Sequence, residues 1–413
     1  MATPADRIYS LEGRGLKLTT AEDIEPYLAE LRAFENLEEL RLNGNTIGAE
    51  AAKALADVLR TKTGLQVATL HDIFTSRLKE EVKESVVAIC AALAELPNLI
   101  EVNLSDNAFG PLGAEAMAAL LKSHTGLQVL KLNNNGLGIS GGQTIARALL
   151  ECRAACEKQG KLPVLHTIVC GRNRLENGSA PEFAKAFAAL GTLREMRMPQ
   201  NGIRPEGIAE LVAALATNKA LAVLDLQDNT FTRAGSQALA AALVKWDSLE
   251  TLNIGDCLLG PAGGRLVAEA LRGCPSLKSV NLQYNEIEYD GALALAESLP
   301  SLKLLASLEL NGNRFDAESN AVDLIKTALT ENDLDDAEVL GSLSDMEELT
   351  DEEESEAESE AESEAESEDE ENEVFEEAQE TVAEKDNEAQ TSAAAADAQL
   401  ADLVDDMKKQ LSI

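Results

Sequence analysis

The sequence predicts an α/β solenoid followed by an acidic C-terminal tail, and three observations support this fold class. A string of the form L-x-x-L-x-L-x-x-N recurs through residues 37–313. Each copy is followed by an alanine-rich stretch whose apolar residues have helical spacing. Of 73 acidic and 35 basic side chains, residues 331–413 hold 33 and 3, so the net charge there is −30, against −8 for residues 1–330.

The period of the string identifies the architecture. Its last position falls at residues 45, 73, 107, 135, 173, 201, 229, 257, 285 and 313, and seven of the nine intervals are 28 residues. The other two are 34 and 38 residues, which indicates two insertions. Such a period is typical of ribonuclease-inhibitor-like leucine-rich repeats. Because one unit cannot bury its own apolar face, we expect about 11 units stacked into a crescent.

Each unit is expected to contain one short strand, a turn and one helix. The L-x-L segment alternates as a strand with one buried face, and the Asn satisfies backbone groups where the chain leaves the strand. At the last position of one copy, Cys257 replaces Asn and could serve as a weak donor. Inward-pointing strand positions change along the array, so we expect the inner face to shift from basic to acidic; these positions are Arg41, Lys131 and Arg197, followed by Asp225 and Glu309.

Composition divides the chain into three parts. Residues 1–330 form the leucine-rich-repeat domain, and residues 331–390 have the high charge and low apolar content that predict a disordered tail. Residues 391–413 form a short amphipathic segment. Within it, residues 398–413 fit either a helix that docks on the body or a leucine-rich export-type signal.

Charge and composition exclude several functions. A chain with a net charge of −38 is a poor binder of nucleic acid. No run approaches the ~18 apolar residues that span a membrane, and no signal peptide is evident. Six cysteines in 413 residues suggest a reducing, intracellular compartment rather than a disulfide framework.

The repeat body offers no self-contained active site in its sequence. There is no P-loop string, and the G-x-G-x-x-G at residues 136–141 is better interpreted as a repeat turn than as a dinucleotide fingerprint. The Cys152-x-x-x-Cys156 pair lacks further ligands for zinc. We therefore expect no enzyme activity, metal or cofactor of its own.

The insertions and one loop supply the candidate site residues. Arg77 and Lys79 lie in the first insertion, and Arg172 and Arg174 follow the second. Each pair could bind an acidic partner or simply form surface ion pairs. Asn134 precedes a repeat-position Asn, so its carboxamide should point out of the loop, where it could orient another protein's side chain or have no role.

Several strings make the resemblance specific. They are DIFTSR at 72–77, LSDNAFG at 104–110, NNGLG at 134–138, CGRNRLENGS at 170–179, PQNGIRPEGI at 199–208 and LQDNTFT at 226–232. Over roughly residues 5–370 the chain resembles the Ran GTPase-activating protein family, particularly its fungal members. The resemblance implies a protein that binds Ran in its GTP form and accelerates hydrolysis, supporting nucleocytoplasmic transport, while GTP and Mg²⁺ belong to Ran.

The resemblance also implies roles for particular residues. Asn134 is expected to orient the water-positioning Gln of Ran, and Arg77 to shape the interface rather than act as an arginine finger. Lys79, Arg172 and Arg174 are expected to bind the partner. Ser76 stands where the family is expected to have Gly, which would be strained if the loop needs a positive φ.

The location and further partners follow from the same resemblance. The resemblance implies a cytoplasmic protein, and it leaves open whether the protein is attached to the nuclear envelope or shuttles. It also implies a Ran-binding co-activator as a further partner. The alternative function is a non-catalytic leucine-rich-repeat scaffold or inhibitor.

Overall fold

The computed structural model describes residues 7–347. Residues 1–6 and 348–413 lie outside the described part of the chain. The predicted amphipathic segment 391–413 and most of the predicted tail 331–390 therefore lie outside it too. No helix within the described range is long and apolar enough to cross a membrane.

Strands and helices alternate along the chain. The strands are β1 Ile8–Ser10, β2 Lys17–Leu18, β3 Glu39–Arg41, β4 Thr46–Ile47, β5 Val67–Thr69, β6 Glu101–Asn103, β7 Val129–Lys131, β8 Thr167–Val169, β9 Glu195–Arg197, β10 Val223–Asp225, β11 Thr251–Asn253, β12 Ser279–Asn281 and β13 Ser307–Glu309. The helices are α1 Ala21–Ala33, α2 Ala49–Leu59, α3 Lys79–Ala94, α4 Gly110–Ser123, α5 Gly138–Lys158, α6 Glu176–Leu190, α7 Pro205–Leu215, α8 Thr232–Leu243, α9 Gly260–Ala270, α10 Tyr289–Ser298, α11 Asn320–Glu331 and α12 Asp336–Val339. Two short 3₁₀ turns, Leu271–Gly273 and Leu299–Ser301, follow α9 and α10.

Eleven of the strands form one parallel sheet in chain order, which confirms the solenoid. The order is β1, β3, and then β5 to β13, while β2 and β4 pair separately. Both insertions leave the register intact: Ala68 pairs with Val102 and Leu130 with Ile168, each at the middle of its strand. The extra residues therefore lengthen loops and helices, and α5 reaches 21 residues.

The core lies between the sheet and the row of helices. The middle residue of each three-residue strand, such as Leu130 or Leu224, is buried, whereas the residues beside it are mostly half-exposed. Leu, Ile and Ala from the helices fill the same layer, and consecutive helices pack side by side. Small side chains suffice because each unit is one thin layer.

An asparagine ladder ties the units together at the carboxyl ends of the strands. The side chain of Asn135 donates to the Leu104 and Leu132 carbonyls at 3.0 and 3.1 Å, and its Oδ1 accepts from the Asn107 amide at 3.0 Å. The amide of Asn135 donates in turn to Oδ1 of Asn173. The pattern recurs along the array, so the turn that ends each strand is satisfied by an adjacent unit.

The ladder has a substitute at Cys257. Its thiol lies 3.4 Å from the carbonyl oxygens of Leu226 and Gly255, groups like those that the ladder asparagines bind. Its amide donates to Oδ1 of Asn285 at 2.9 Å. The predicted weak-donor role of Cys257 therefore fits the geometry.

The three basic side chains of the strand face lie in local ion pairs, which weakens the basic end of the expected change from basic to acidic. Arg41 pairs with Glu39 at 2.6 Å, and Lys131 pairs with Glu101 at 2.7 Å. Arg197, which lies farther along, also pairs with acids of its own and the next strand, at 2.6 and 3.5 Å. Residues two apart on a strand share a face, and so do residues on adjacent strands in register, so each of these basic side chains meets an acid on its own or a neighbouring strand.

The repeat body extends through residue 347, which corrects the boundary predicted at residue 330. The Gly341 amide donates to the Leu308 carbonyl of β13, and Asp345 exchanges two hydrogen bonds with the side chain of Asn311 at 2.8 and 2.9 Å. These contacts cover the exposed edge of the last strand, where unpaired backbone groups would otherwise face solvent.

Candidate functional site

A row of left-handed residues runs along the loops that follow the strands, and we call it the rim row. Each member immediately precedes a ladder position and has a φ between 48° and 74°. The members are Gly44, Asp72, Asp106, Asn134, Arg172, Gln200, Asp228, Asp256, Tyr284 and Gly312. The backbone turns there to bring the ladder residue inward, so the preceding side chain is left on the outside. Asp106, Asn134 and Arg172 are consecutive members, and all three are exposed.

Three successive asparagines illustrate how the loop separates inside from outside. Asn135 is fully buried in the ladder, and the side-chain oxygen of Asn133 accepts from the Gly171 amide. Asn134 is exposed, with φ 51°, and its amide donates to the Gly171 carbonyl at 2.9 Å. Its side-chain nitrogen donates to Oδ1 of Asp106 at 3.0 Å. The outward position predicted for Asn134 is therefore confirmed.

Arg77 is held by the two preceding units rather than projecting freely. Its Nε donates to the Thr46 hydroxyl at 2.9 Å and its Nη1 to the Thr19 hydroxyl at 3.1 Å. Its Nη2 donates to the Thr46 and Leu18 carbonyls at 3.1 and 3.4 Å. A planar guanidinium suits such a divergent set of acceptors, and these bonds fix its position.

The loop that carries Arg77 adopts the conformation that makes Ser76 unusual. Ser76 has φ 65°, which glycine adopts freely and other residues adopt at a cost of about 1–2 kcal/mol. Asp72 also has a positive φ, and its carboxylate accepts a hydrogen bond from the Thr75 hydroxyl. The four Arg77 bonds and this turn bond help to hold the loop in place.

A cleft of about 420 Å³ opens beside Arg77 between the loops of the first three units. Thr19, Thr46, Asp72 and Ser76 are among its lining residues. Nearby, backbone amides of Thr20 and Thr19 hold the pKa of Asp23 below its usual value, with a smaller contribution from the charge of Arg77. Asp23 also completes the capping box of α1, so this pKa shift has a structural origin.

The other predicted partner-binding residues are exposed cations. Arg172 and Arg174 both have φ 55° and lie on the loop after β8, and Lys79 is the first residue of α3. None of the three forms an ion pair within residues 7–347. Their charges are therefore available to an incoming acidic surface.

The structure brings these residues to one rim but not to one point. Arg172 follows Asn134 in the rim row, whereas the unit of Asp106 lies between Asn134 and the loop of Arg77. The lengthened helix α5 comes before β8, whereas Arg172 and Arg174 come after β8. The extra chain of the second insertion therefore lies toward the start of β8, and the two arginines lie at its end. Sequence reasoning missed Asp106, although it lies 28 residues before Asn134 and so occupies the same position in the preceding unit.

The structure also shows the glycine motif at residues 136–141 and the cysteine pair at 152 and 156. Gly136 and Gly138 of the glycine motif have positive φ, as do Gly110, Gly202 and Gly260 in other units, which agrees with a repeat turn. The thiol of Cys152 lies 3.9 Å from the carbonyl oxygen of His124. No cluster of three or more potential metal ligands occurs in the described part of the chain.

The fold and the loop rim define a leucine-rich-repeat protein. The family model described as Leucine Rich repeat matches residues 35–56, 95–118 and 273–296. The chain is 47% identical over 205 residues to Ran GTPase-activating protein 1 of Xenopus laevis, and 41% identical over 227 residues to Ran GTPase-activating protein 1 of Saccharomyces cerevisiae. It is also 25% identical over 226 residues to the ribonuclease inhibitor of Sus scrofa.

The resemblance to Ran GTPase-activating proteins is therefore confirmed, over part of each chain. The match covers 49% of this chain and 35% of the Xenopus protein, and 54% of this chain and 56% of the yeast protein. For the ribonuclease inhibitor the shares are 48% and 46%. Since a vertebrate and a yeast protein both match, the fungal type stays a prediction.

Proposed function

We propose that this protein binds Ran in its GTP form and accelerates the hydrolysis of the bound GTP, in support of nucleocytoplasmic transport. The observation that carries the proposal is the 47% identity over 205 residues to a relative named Ran GTPase-activating protein 1. In this proposal GTP and Mg²⁺ are bound by Ran, and this chain contributes side chains in trans rather than an active site of its own. Activators of related GTPases raise hydrolysis by on the order of 10⁵-fold.

Asn134 is the residue that we assign to the chemical step. A carboxamide both donates and accepts hydrogen bonds, so it can orient a side chain that in turn positions the attacking water. The surrounding rim supports this role because the ladder holds the loop before the partner arrives, and pre-organised groups lose little entropy on binding. The exposed position of Asn134 leaves it accessible to a partner.

Arg77 is assigned to the shape of the interface. Its guanidinium already makes four hydrogen bonds within this chain, and an arginine finger would have to give up several of them to reach a phosphate. Lys79, Arg172 and Arg174 are assigned to docking. Exposed charges of this kind affect mainly the association rate, and salt screens them.

The proposal is tested by single-turnover hydrolysis of GTP-loaded Ran with catalytic amounts of the full chain. We expect strong acceleration on Ran and none on an unrelated small GTPase. The Asn134→Ala variant should slow the step at saturating activator. Gln200→Ala is the matched control, because Gln200 is an exposed rim-row residue with φ 54° two units further along. Unchanged hydrolysis with the wild-type chain would refute the proposal.

A second candidate function is a non-catalytic scaffold or inhibitor, favoured by the similarity to the porcine ribonuclease inhibitor. The same assay separates the two functions. Stoichiometric binding to Ran without faster loss of GTP would support the scaffold.

We also propose a cytoplasmic location, which imaging of a fluorescent full-length fusion would test; a nuclear fusion would contradict it. A Ran-binding co-activator and attachment to the nuclear envelope stay predictions. The candidate export segment 398–413 lies outside the described residues.

A further inference from the structure

One side-chain hydrogen bond distinguishes Asn134 from the rest of the rim row. Its Nδ2 donates to Oδ1 of Asp106 at 3.0 Å. Among the rim-row residues of the described chain, this is the one side-chain hydrogen bond that joins neighbouring members. Other pairs of neighbours, such as Asp228 and Asp256, have no such bond between them.

The chemistry of the pair fixes which end of the carboxamide faces outward. An ionised carboxylate has acceptors only, whereas a carboxamide has a donor end and an acceptor end. Asn134 must therefore turn its NH₂ toward Asp106. The reversed orientation would place two acceptor oxygens against each other and lose a charge-assisted hydrogen bond. Consequently Oδ1 of Asn134 is the end left for a partner.

The backbone keeps the two side chains in this relation. Asp106 and Asn134 have φ values of 60° and 51°, and each occupies the same position in consecutive units. The Asp106 amide donates to the Asn133 carbonyl at 2.8 Å, and the Asn134 amide donates to the Gly171 carbonyl at 2.9 Å. The pair thus lies on two turns that are bonded to each other and to the next unit.

We propose that Asp106 is a positioning residue, which orients the Asn134 carboxamide so that its carbonyl oxygen is presented to a hydrogen-bond donor of the GTPase. This inference rests on the proposed function. The partner group it fits is an N–H or O–H donor, such as the NH₂ of a side-chain amide. An amide bound in this way keeps its own oxygen free to accept a hydrogen bond from water.

The first test compares three variants in the Ran hydrolysis assay, with the rate measured over a range of Ran·GTP concentrations. Asp106→Ala should lower kcat about 5- to 10-fold, as expected for loss of one solvent-exposed hydrogen bond, with KM changed by less than about 2-fold. Asp106→Asn can still accept from Asn134 but can also donate to it, so it no longer fixes the orientation of the carboxamide and should recover kcat only in part. Asp256→Ala is the matched control: Asp256 is exposed with φ 54° in the same row, and no side-chain hydrogen bond joins it to a neighbouring unit. It should leave kcat unchanged.

The second test asks whether Asp106 acts through Asn134. In the Asn134→Ala background, Asp106→Ala should have no further effect on kcat. An equal loss in both backgrounds would overturn the inference, and so would full activity of Asp106→Ala. A wild-type chain that fails to accelerate hydrolysis would refute the proposed function itself. An active wild type with an unaffected Asp106→Ala variant would refute only the positioning role.

Discussion

Asn134 and Asn135 are adjacent in sequence, yet replacing one should affect a different property of the protein from replacing the other. Asn135 is 0% exposed, and its side chain makes three hydrogen bonds in the ladder. Asn134 is exposed, and its side chain makes one hydrogen bond. We therefore expect Asn135→Ala to reduce stability and Asn134→Ala to reduce activation of the GTPase.

The size of the stability loss follows from the bonds that remain. The Leu104 and Leu132 carbonyls each accept a second hydrogen bond, from Asn107 and Asn173 at 2.9 Å, so each carbonyl keeps one donor in Asn135→Ala. The Asn107 amide, in contrast, loses its side-chain acceptor and stays buried. One buried amide without an acceptor and two carbonyls that each lose one of two hydrogen bonds should lower the free energy of unfolding by about 2–4 kcal/mol. Asn134→Ala should lower the free energy of unfolding by at most about 2 kcal/mol, because Ala is placed in a left-handed conformation.

Urea unfolding measures both variants. Far-UV circular dichroism reports the whole body, and the fluorescence of Trp246, the one tryptophan of the chain, reports units far from the mutation. Trp246 is 0% exposed, so its emission should shift on unfolding. Two probes are needed because stacked repeats need not unfold in one step. A loss below about 1 kcal/mol for Asn135→Ala, or an equal loss for Asn134→Ala, would refute the ladder argument.

Three further predictions concern other parts of the body. Arg77→Lys should raise KM for Ran and lower the free energy of unfolding by about 1 kcal/mol, since an ammonium cannot reach the same four acceptors; steady-state kinetics and urea titration check this. Burial raises the pKa of the Cys90 and Cys170 thiols to about 12, so at pH 8 only about 1 in 10⁴ is thiolate, and iodoacetamide followed by mass spectrometry should label them after unfolding but not before. A chain that ends at residue 347 should keep the thermal midpoint of the full chain, whereas one that ends at residue 330 should melt lower. Equal midpoints for the two truncations would contradict the docking of the last residues on β13.

The regular part of the fold was predictable because the period of the repeat reflects burial. The residues that end up at the middle of the strands, such as Leu130 and Leu224, lie in the apolar positions of the string, and the ladder Asn follows five residues later. The outward position of Asn134 followed from the same register. Because the same positions recur in every unit, the assignment of a residue in one unit can be compared with its equivalents in the others, which a single motif does not allow.

The features that were missed depend on contacts between units. Arg77 is bound by Thr19, which lies 58 residues earlier, and no local pattern indicates that pair. The acidic residues Asp345 and Glu347 belong by composition to the tail, yet they bond to Asn311 and to the backbone of Asn313. Charge counts also missed the ion pairs of the strand face, because a net charge does not show which opposite charges are neighbours.

The ladder explains why the rim row can vary in chemistry while keeping one backbone conformation. The turn is stabilised by the ladder residue, by the carbonyls it binds and by the amide of the rim-row residue, none of which depends on the side chain of that residue. The row can therefore hold Asp106, Asn134, Arg172 or Tyr284 at equivalent backbone positions. For a protein proposed to act by presenting groups to a partner's active site, this separation is useful, because small errors in placement lower the rate strongly. Function on this rim should accordingly depend on which side chain occupies each unit, whereas stability should depend on the residue that follows it.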